Sequence, residues 1–118
     1  GITLPTDRSY DGINLMPYIT GRSSSAPHEA IYWRSEFNKA IRKGDWKMML
    51  NEYDGNNFLY YMPTDSVEHK NLYNEKPEVV QSLTKELNNW EEDMIAPLWP
   101  RVVNYVYKDE QGKSTFAF

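Results

Sequence analysis

Between Ala40 and Leu50 two short apolar runs flank a Gly44-Asp45 pair, and that wording turns the chain back on itself. Gly44 can take a positive φ at a tight turn without a Cβ clash, and Asp45 tolerates turn geometry. Beyond the turn, Trp46, Met48 and Leu50 alternate as one buried strand face would, which sends Lys47 and Met49 to the other face. The stretch predicts a β-hairpin and therefore an antiparallel sheet.

Strand signals continue on both sides. From Ala30 to Phe37 the residues Ile31, Trp33, Ser35 and Phe37 alternate with Tyr32, Arg34 and Glu36, a period of two. Lys39 to Lys43 and Trp46 to Leu50 extend this into a meander. Asp54-Gly55-Asn56-Asn57 is a turn by composition, and Phe58 to Met62 is a fourth strand that Pro63, lacking a donor, would end. The chain's one long helix is expected behind Pro77, which suits a first helical position. Glu75 and Glu78 favour its positive end, and Val79, Val80, Leu83, Leu87, Trp90 and Met94 recur at steps of three or four.

Burying that stripe on the sheet gives an α+β fold: a four-stranded antiparallel sheet with one long helix packed on one face. The opposite face, expected to include Tyr32, Arg34 and Lys47, is left open. Residues 1–27, with three prolines and the Ser23-Ser24-Ser25 run, form an extended lead-in with one helical turn at Leu15 to Thr20 that Gly21 ends. Residues 28–118 carry the sheet and helix. Val102 to Tyr107 reads as a strand and Asp109 to Gly112 as a turn toward Ser114 to Phe118, a terminal hairpin.

The bulk properties narrow the function classes. A chain of 118 residues is one domain, long enough to bury roughly 65% of its unfolded surface. A net charge of -4 argues against a nucleic-acid partner, which needs clustered cations. The nearest basic group, Lys39, Arg42, Lys43 and Lys47, reads as a solvated face. With no cysteine there are no disulfides and no thiol nucleophile. No apolar run approaches the ~18 to 20 residues of a membrane helix, and the first residues lack the basic start and apolar stretch of a signal peptide. The absence of an initiating Met fits a piece of something longer.

Candidate chemistry is sparse. His28 and His69 have no second ligand at a metal-binding spacing. His28 stands at the entry to the first strand, where a loop could present it to a ligand or hold it in a capping hydrogen bond. Arg34 could grip an anionic group in bidentate fashion or pair with Glu36 or another neighbour. Trp46 and Trp90 belong to apolar stripes, whereas Trp33 and Trp99 are open to a sugar-stacking role. Glu91-Glu92-Asp93 reads as a solvated helix face, because neighbouring residues on a helix point about 100° apart and cannot close on one ion.

The wording Ala40-Ile41-Arg42 through Gly44-Asp45-Trp46-Lys47 to Leu50 resembles the C-terminal hairpin of the sulfatase family. Three further phrases follow that family's order. Asp11-Gly12-Ile13-Asn14-Leu15-Met16-Pro17-Tyr18-Ile19-Thr20-Gly21 is similar to its D-G-x-x-L-x-P-x-L-x-G. His28-Glu29-Ala30-Ile31-Tyr32-Trp33-Arg34 comes next as it would there. Leu59 to Leu72 is similar to L-Y-D-L-x-x-D-P-x-E-x-x-N-L, with Tyr61 in place of Asp or Asn and Ser66 in place of Pro. The phrases and the Pro-started helix cover roughly residues 4 to 100, and the nearest flavour is the bacterial arylsulfatase and N-acetylgalactosamine-6-sulfatase-like group.

The resemblance implies the C-terminal subdomain of a sulfuric-ester hydrolase acting on sulfated sugars or aryl sulfates. Its partner would be its own N-terminal catalytic domain, which in that family holds calcium and a formylglycine made from Cys or Ser in C/S-x-P-x-R. None of that machinery is in this chain: Ser25-Ala26-Pro27-His28-Glu29 has Glu29 where the motif needs Arg. No catalytic residue, metal ligand or cofactor is therefore expected here, and the chain alone should be inactive. His28, Trp33 and Arg34 would bear on which sulfated carbohydrate the intact enzyme accepts. The resemblance further implies a periplasmic or secreted protein; charge and hydropathy point to neither a nucleic-acid nor a membrane partner, and the sheet face bared in a severed subdomain could pair two copies. The alternative is a stand-alone carbohydrate-binding or protein-interaction module.

Overall fold

The structure, a computed structural model, describes residues 4–7, 10, 12–98, 102–110 and 112–117. Its centre is a meander of β1 (Ala30–Ser35), β2 (Asn38–Lys43), β3 (Trp46–Asn51) and β4 (Phe58–Tyr61), each antiparallel to the next and in that order across the sheet. Gly44, at φ 56°, opens the two-residue turn between β2 and β3, so that Lys43 pairs with Trp46. The β1–β2 turn achieves the same reversal with Glu36 at φ 50°.

Helix α2 (Pro77–Glu92) starts on Pro77, with Glu78 in its first turn, and lies across one face of the sheet. Met94 falls beyond its end. The register stacks Tyr32, Ile41, Met48 and Leu59 in one cross-strand row, and α2 brings Leu83 and Leu87 down onto it. Ile41, Met48, Leu59 and Leu87 are fully buried. Trp46, Leu50, Val79, Val80 and Trp90 close round them.

This register corrects one expectation. Tyr32 and Arg34 face α2, not the open side, and Ile31 and Trp33 are 45% and 49% exposed on the side away from it. Tyr32 lies flat against Trp90, ring centroids 4.9 Å apart and planes 4° from parallel, while Arg34 Nε is 3.3 Å from Glu91 Oε1. Both alternating sets of β1 are amphipathic, so the period of two finds the strand without choosing its face. The choice is made by α2, which offers a flat aromatic surface and a carboxylate that suit Tyr and Arg. Lys47 lies on the open face as expected.

In the lead-in, α1 (Met16–Ile19) is a single turn ended by Gly21 at φ 69°. At the other end, β5 (Asn104–Asp109) and β6 (Gly112–Ala117) form the expected terminal hairpin. Its anchorage was not legible in the sequence. Thr115, buried, donates its backbone N–H to Asp54 Oδ2 at 2.8 Å and accepts at its carbonyl from Asn51 Nδ2 at 2.7 Å. Asn51 at the end of β3 and Asp54 in the turn after it thereby occupy backbone groups of β6.

Candidate functional site

On the face away from α2 the register aligns Trp33, Ala40, Met49 and Phe58 across all four strands. They floor an open groove of about 390 Å³, bordered by Lys47 and, at the β4 end, by Asn56. The floor arises because β1 to β3 carry apolar residues on both faces, whereas a sheet with one solvated face would alternate apolar with polar.

Charge is distributed unevenly round this groove. Lys47 Nζ is held 2.6 Å from Glu68 Oε1, and Glu68 reaches it from a loop in which its own φ is 60°. Arg42 is exposed and lies across from Lys47 on the next strand. On the α2 side, Lys39 Nζ sits 2.7 Å from Glu91 Oε2 and 2.6 Å from Glu52 Oε1. Burial disfavours the Lys39 charge, but the hydrogen bonds to Glu52 and Glu91 outweigh it and raise its pKa above the ordinary 10.5. Lys43 is likewise raised, by hydrogen bonds to Glu86 and Glu29.

These pairs revise two expectations. Glu91 is no solvated carboxylate: its side chain is only 16% exposed and joins Arg34 to Lys39. Of the basic group, Lys39, Lys43 and Lys47 each meet a carboxylate, so the cluster is an ion-pair lattice tying the sheet to α2 and to the loop after β4.

The structure divides the three residues singled out for substrate contact. Trp33 stands half exposed in the groove. Arg34, its neighbour on β1, is turned toward α2 and paired with Glu91. His28 is exposed in the segment just before β1. Trp99 lies outside the described residues. Among the described residues no three of His, Cys, Asp or Glu gather where they could share a metal ion. No helix among them is long and apolar enough to cross a membrane.

No family model and no curated protein matches the chain. Its fold does match a solved structure, a Bacteroides thetaiotaomicron sulfatase from work on that organism's metabolism of multiple glycosaminoglycans. The TM-score is 0.62 at 23% identity, over 76% of this chain and 22% of that one. The likeness is one of fold, and this chain spans about a fifth of that protein's length.

Proposed function

We propose that the chain is the C-terminal subdomain of a sulfuric-ester hydrolase, packing its open sheet face on a larger upstream catalytic domain and helping to wall the substrate pocket. One pairing of observations supports this most. The fold likeness covers only 22% of a sulfatase, and the row Trp33, Ala40, Met49 and Phe58 floors a groove that α2 leaves uncovered. A sheet with apolar residues on both faces suits a place between two layers.

On this reading the chain performs none of the sulfur chemistry. Formylglycine and calcium would belong to the upstream domain, and sulfated sugars or aryl sulfates would be the substrates. Trp33 would cover an apolar sugar face, His28 would donate a hydrogen bond from its loop, and Arg34 would share its guanidinium between Glu91 and a substrate oxygen. The half-exposed Trp33 also favours a second reading, a stand-alone carbohydrate-binding module.

The test compares this chain with the protein read from the same gene including everything upstream of Gly1. The longer protein should contain C/S-x-P-x-R and release 4-nitrophenol from 4-nitrophenyl sulfate, and this chain alone should not. A start codon directly before Gly1, or turnover by the isolated chain, would overturn the proposal.

A further inference from the structure

Among the described residues the sheet edges are treated unequally. The β4 edge is covered: Leu59 donates its N–H to Asn71 Oδ1 at 3.0 Å and accepts at its carbonyl from the Leu72 N–H at 2.8 Å. The β6 edge is covered at Thr115 by Asp54 and Asn51. The β1 edge lies between Glu29 and Glu36 and carries Arg34, charges that deter a further strand. The β5 edge is apolar instead, with Tyr105, Val106 and Tyr107 in a row, each about half exposed.

The Thr115 bonds determine which backbone groups β5 presents. In an antiparallel pair, residues that exchange both backbone bonds alternate with residues whose N–H and C=O point outward. Thr115 lies opposite Val106, and its N–H and C=O point away from β5, to Asp54 and Asn51. Val106 is therefore the outward-pointing member on the other side, and with it Asn104 and Lys108, two residues away in each direction. Among the described residues none bonds to these outward backbone groups. Donors and acceptors at three alternate positions make a ready edge for one more strand.

We propose that this edge pairs with the same edge of a second copy, β5 against β5, antiparallel about a two-fold axis through Val106. That register uses all three outward positions. Val106 exchanges two hydrogen bonds with Val106 of the second copy, and Asn104 and Lys108 exchange theirs crosswise. Tyr105-Val106-Tyr107 reads the same in both directions, so each Tyr105 stands opposite a Tyr107 of the other copy, an aromatic pair made twice. Charge agrees with this register: Lys108 meets the neutral Asn104, and the two Glu110 residues lie at opposite ends of the ribbon, whereas centring the pair on Lys108 would set two like charges face to face. Burying two half-exposed tyrosines and a valine per copy falls short of the roughly 800 Å² per partner of a standard stable interface, so the dimer is weak and shifts with concentration. The contact goes beyond the hydrolase reading and holds without it, since it leaves the open face of the main sheet free.

The test is sedimentation velocity on the 118-residue chain from about 10 μM to about 1 mM. The mass should rise with concentration from 13.9 kDa toward twice that value. Val106→Pro removes only an outward N–H, which an edge tolerates, and should weaken the dimer at least about tenfold with an unchanged far-UV circular dichroism spectrum. Should that variant fail to fold, a charge pair decides: Val106→Lys and Val106→Glu should each stay monomeric, and their equimolar mixture should dimerise, because the axis sets this position against itself. Four results would each overturn the proposal. They are a wild-type chain that is monomeric throughout, a dimer that Val106→Lys leaves intact, a mixture of the two charged variants that stays monomeric, and a protein that is monomeric when read with everything upstream of Gly1 while this chain dimerises. In the last case the edge would belong to an upstream strand.

Discussion

Tyr32 on β1 and Trp90 on α2 stack with their planes 4° from parallel, and this contact fixes which face of the first strand the helix covers. The Tyr32 hydroxyl is also 3.5 Å from Glu86 Oε1. Burial and the nearby Glu86 charge both raise its pKa above 10.0. Trp90→Ala removes a large half-buried ring, and a loss of about 2–3 kcal/mol is expected in urea unfolding. Trp90→Phe should recover more than half of it. A change no larger than that of an exposed control such as Gln81→Ala would mean that the stack holds nothing together.

Glu91 is the joint through which α2 grips the sheet edge. Glu91→Gln leaves Lys39 and Arg34 short of a carboxylate in a largely covered place, and should destabilise by about 1–3 kcal/mol. The Lys39 pKa is raised on folding, so its stabilisation is fully present below the unfolded value of 10.5 and is lost as pH rises through the folded value. The melting-temperature gap between wild type and Glu91→Gln should therefore narrow only above about pH 10.5, leaving the share that rests on Arg34, whose guanidinium stays charged. A gap independent of pH from 8 to 12 would contradict the ion-pair account.

Asp65 supplies the opposite case. Its carboxylate accepts the backbone N–H groups of His69 and Lys70, both at 2.8 Å, and these bonds hold its pKa below 3.8. The folded value is depressed, so this stabilisation is present above pH 3.8 and fades as pH falls through the folded value. Asp65→Ala should loosen the loop that carries Glu68 to Lys47. Amide exchange at His69 and Lys70 reports this directly, and unchanged protection would rule out the cap.

Gly44→Ala isolates backbone strain. A Cβ there would meet nothing within 4 Å, yet φ is 56°, so the whole cost is conformational, about 1–2 kcal/mol. Chemical denaturation should read that loss with an unchanged m-value.

In the longer protein, Arg34→Ala and Trp33→Ala should lower kcat/KM on a natural sulfated glycan and spare 4-nitrophenyl sulfate if these residues recognise sugar. Equal loss on both substrates, with a lowered melting temperature, would assign them to the fold alone.

Local chemistry explains what was legible beforehand. Gly44, Pro63 and Pro77 punctuate the chain through backbone constraints they carry wherever they occur, and the stripe from Val79 to Trp90 needs only a period of 3.6 to be seen. The face of β1 was not legible, because Tyr32 and Trp33 are equally good strand residues and Trp90, which chooses between them, lies over fifty positions away. Glu91 was misread for the same reason: its solvent is displaced by Arg34 and Lys39, which the sequence holds far apart.

The Asn51 and Asp54 bonds to Thr115 span 64 and 61 residues, while every bond inside the β5–β6 ribbon is local. Closing so long a loop is entropically slow, whereas a hairpin forms in microseconds. The ribbon can thus assemble by itself and arrive last as a finished piece. Its departure need not await collapse of the sheet: the Thr115 amide should exchange with solvent through a partial opening of lower free energy than global unfolding. The tail is then a latch that can open while the rest of the molecule stays folded.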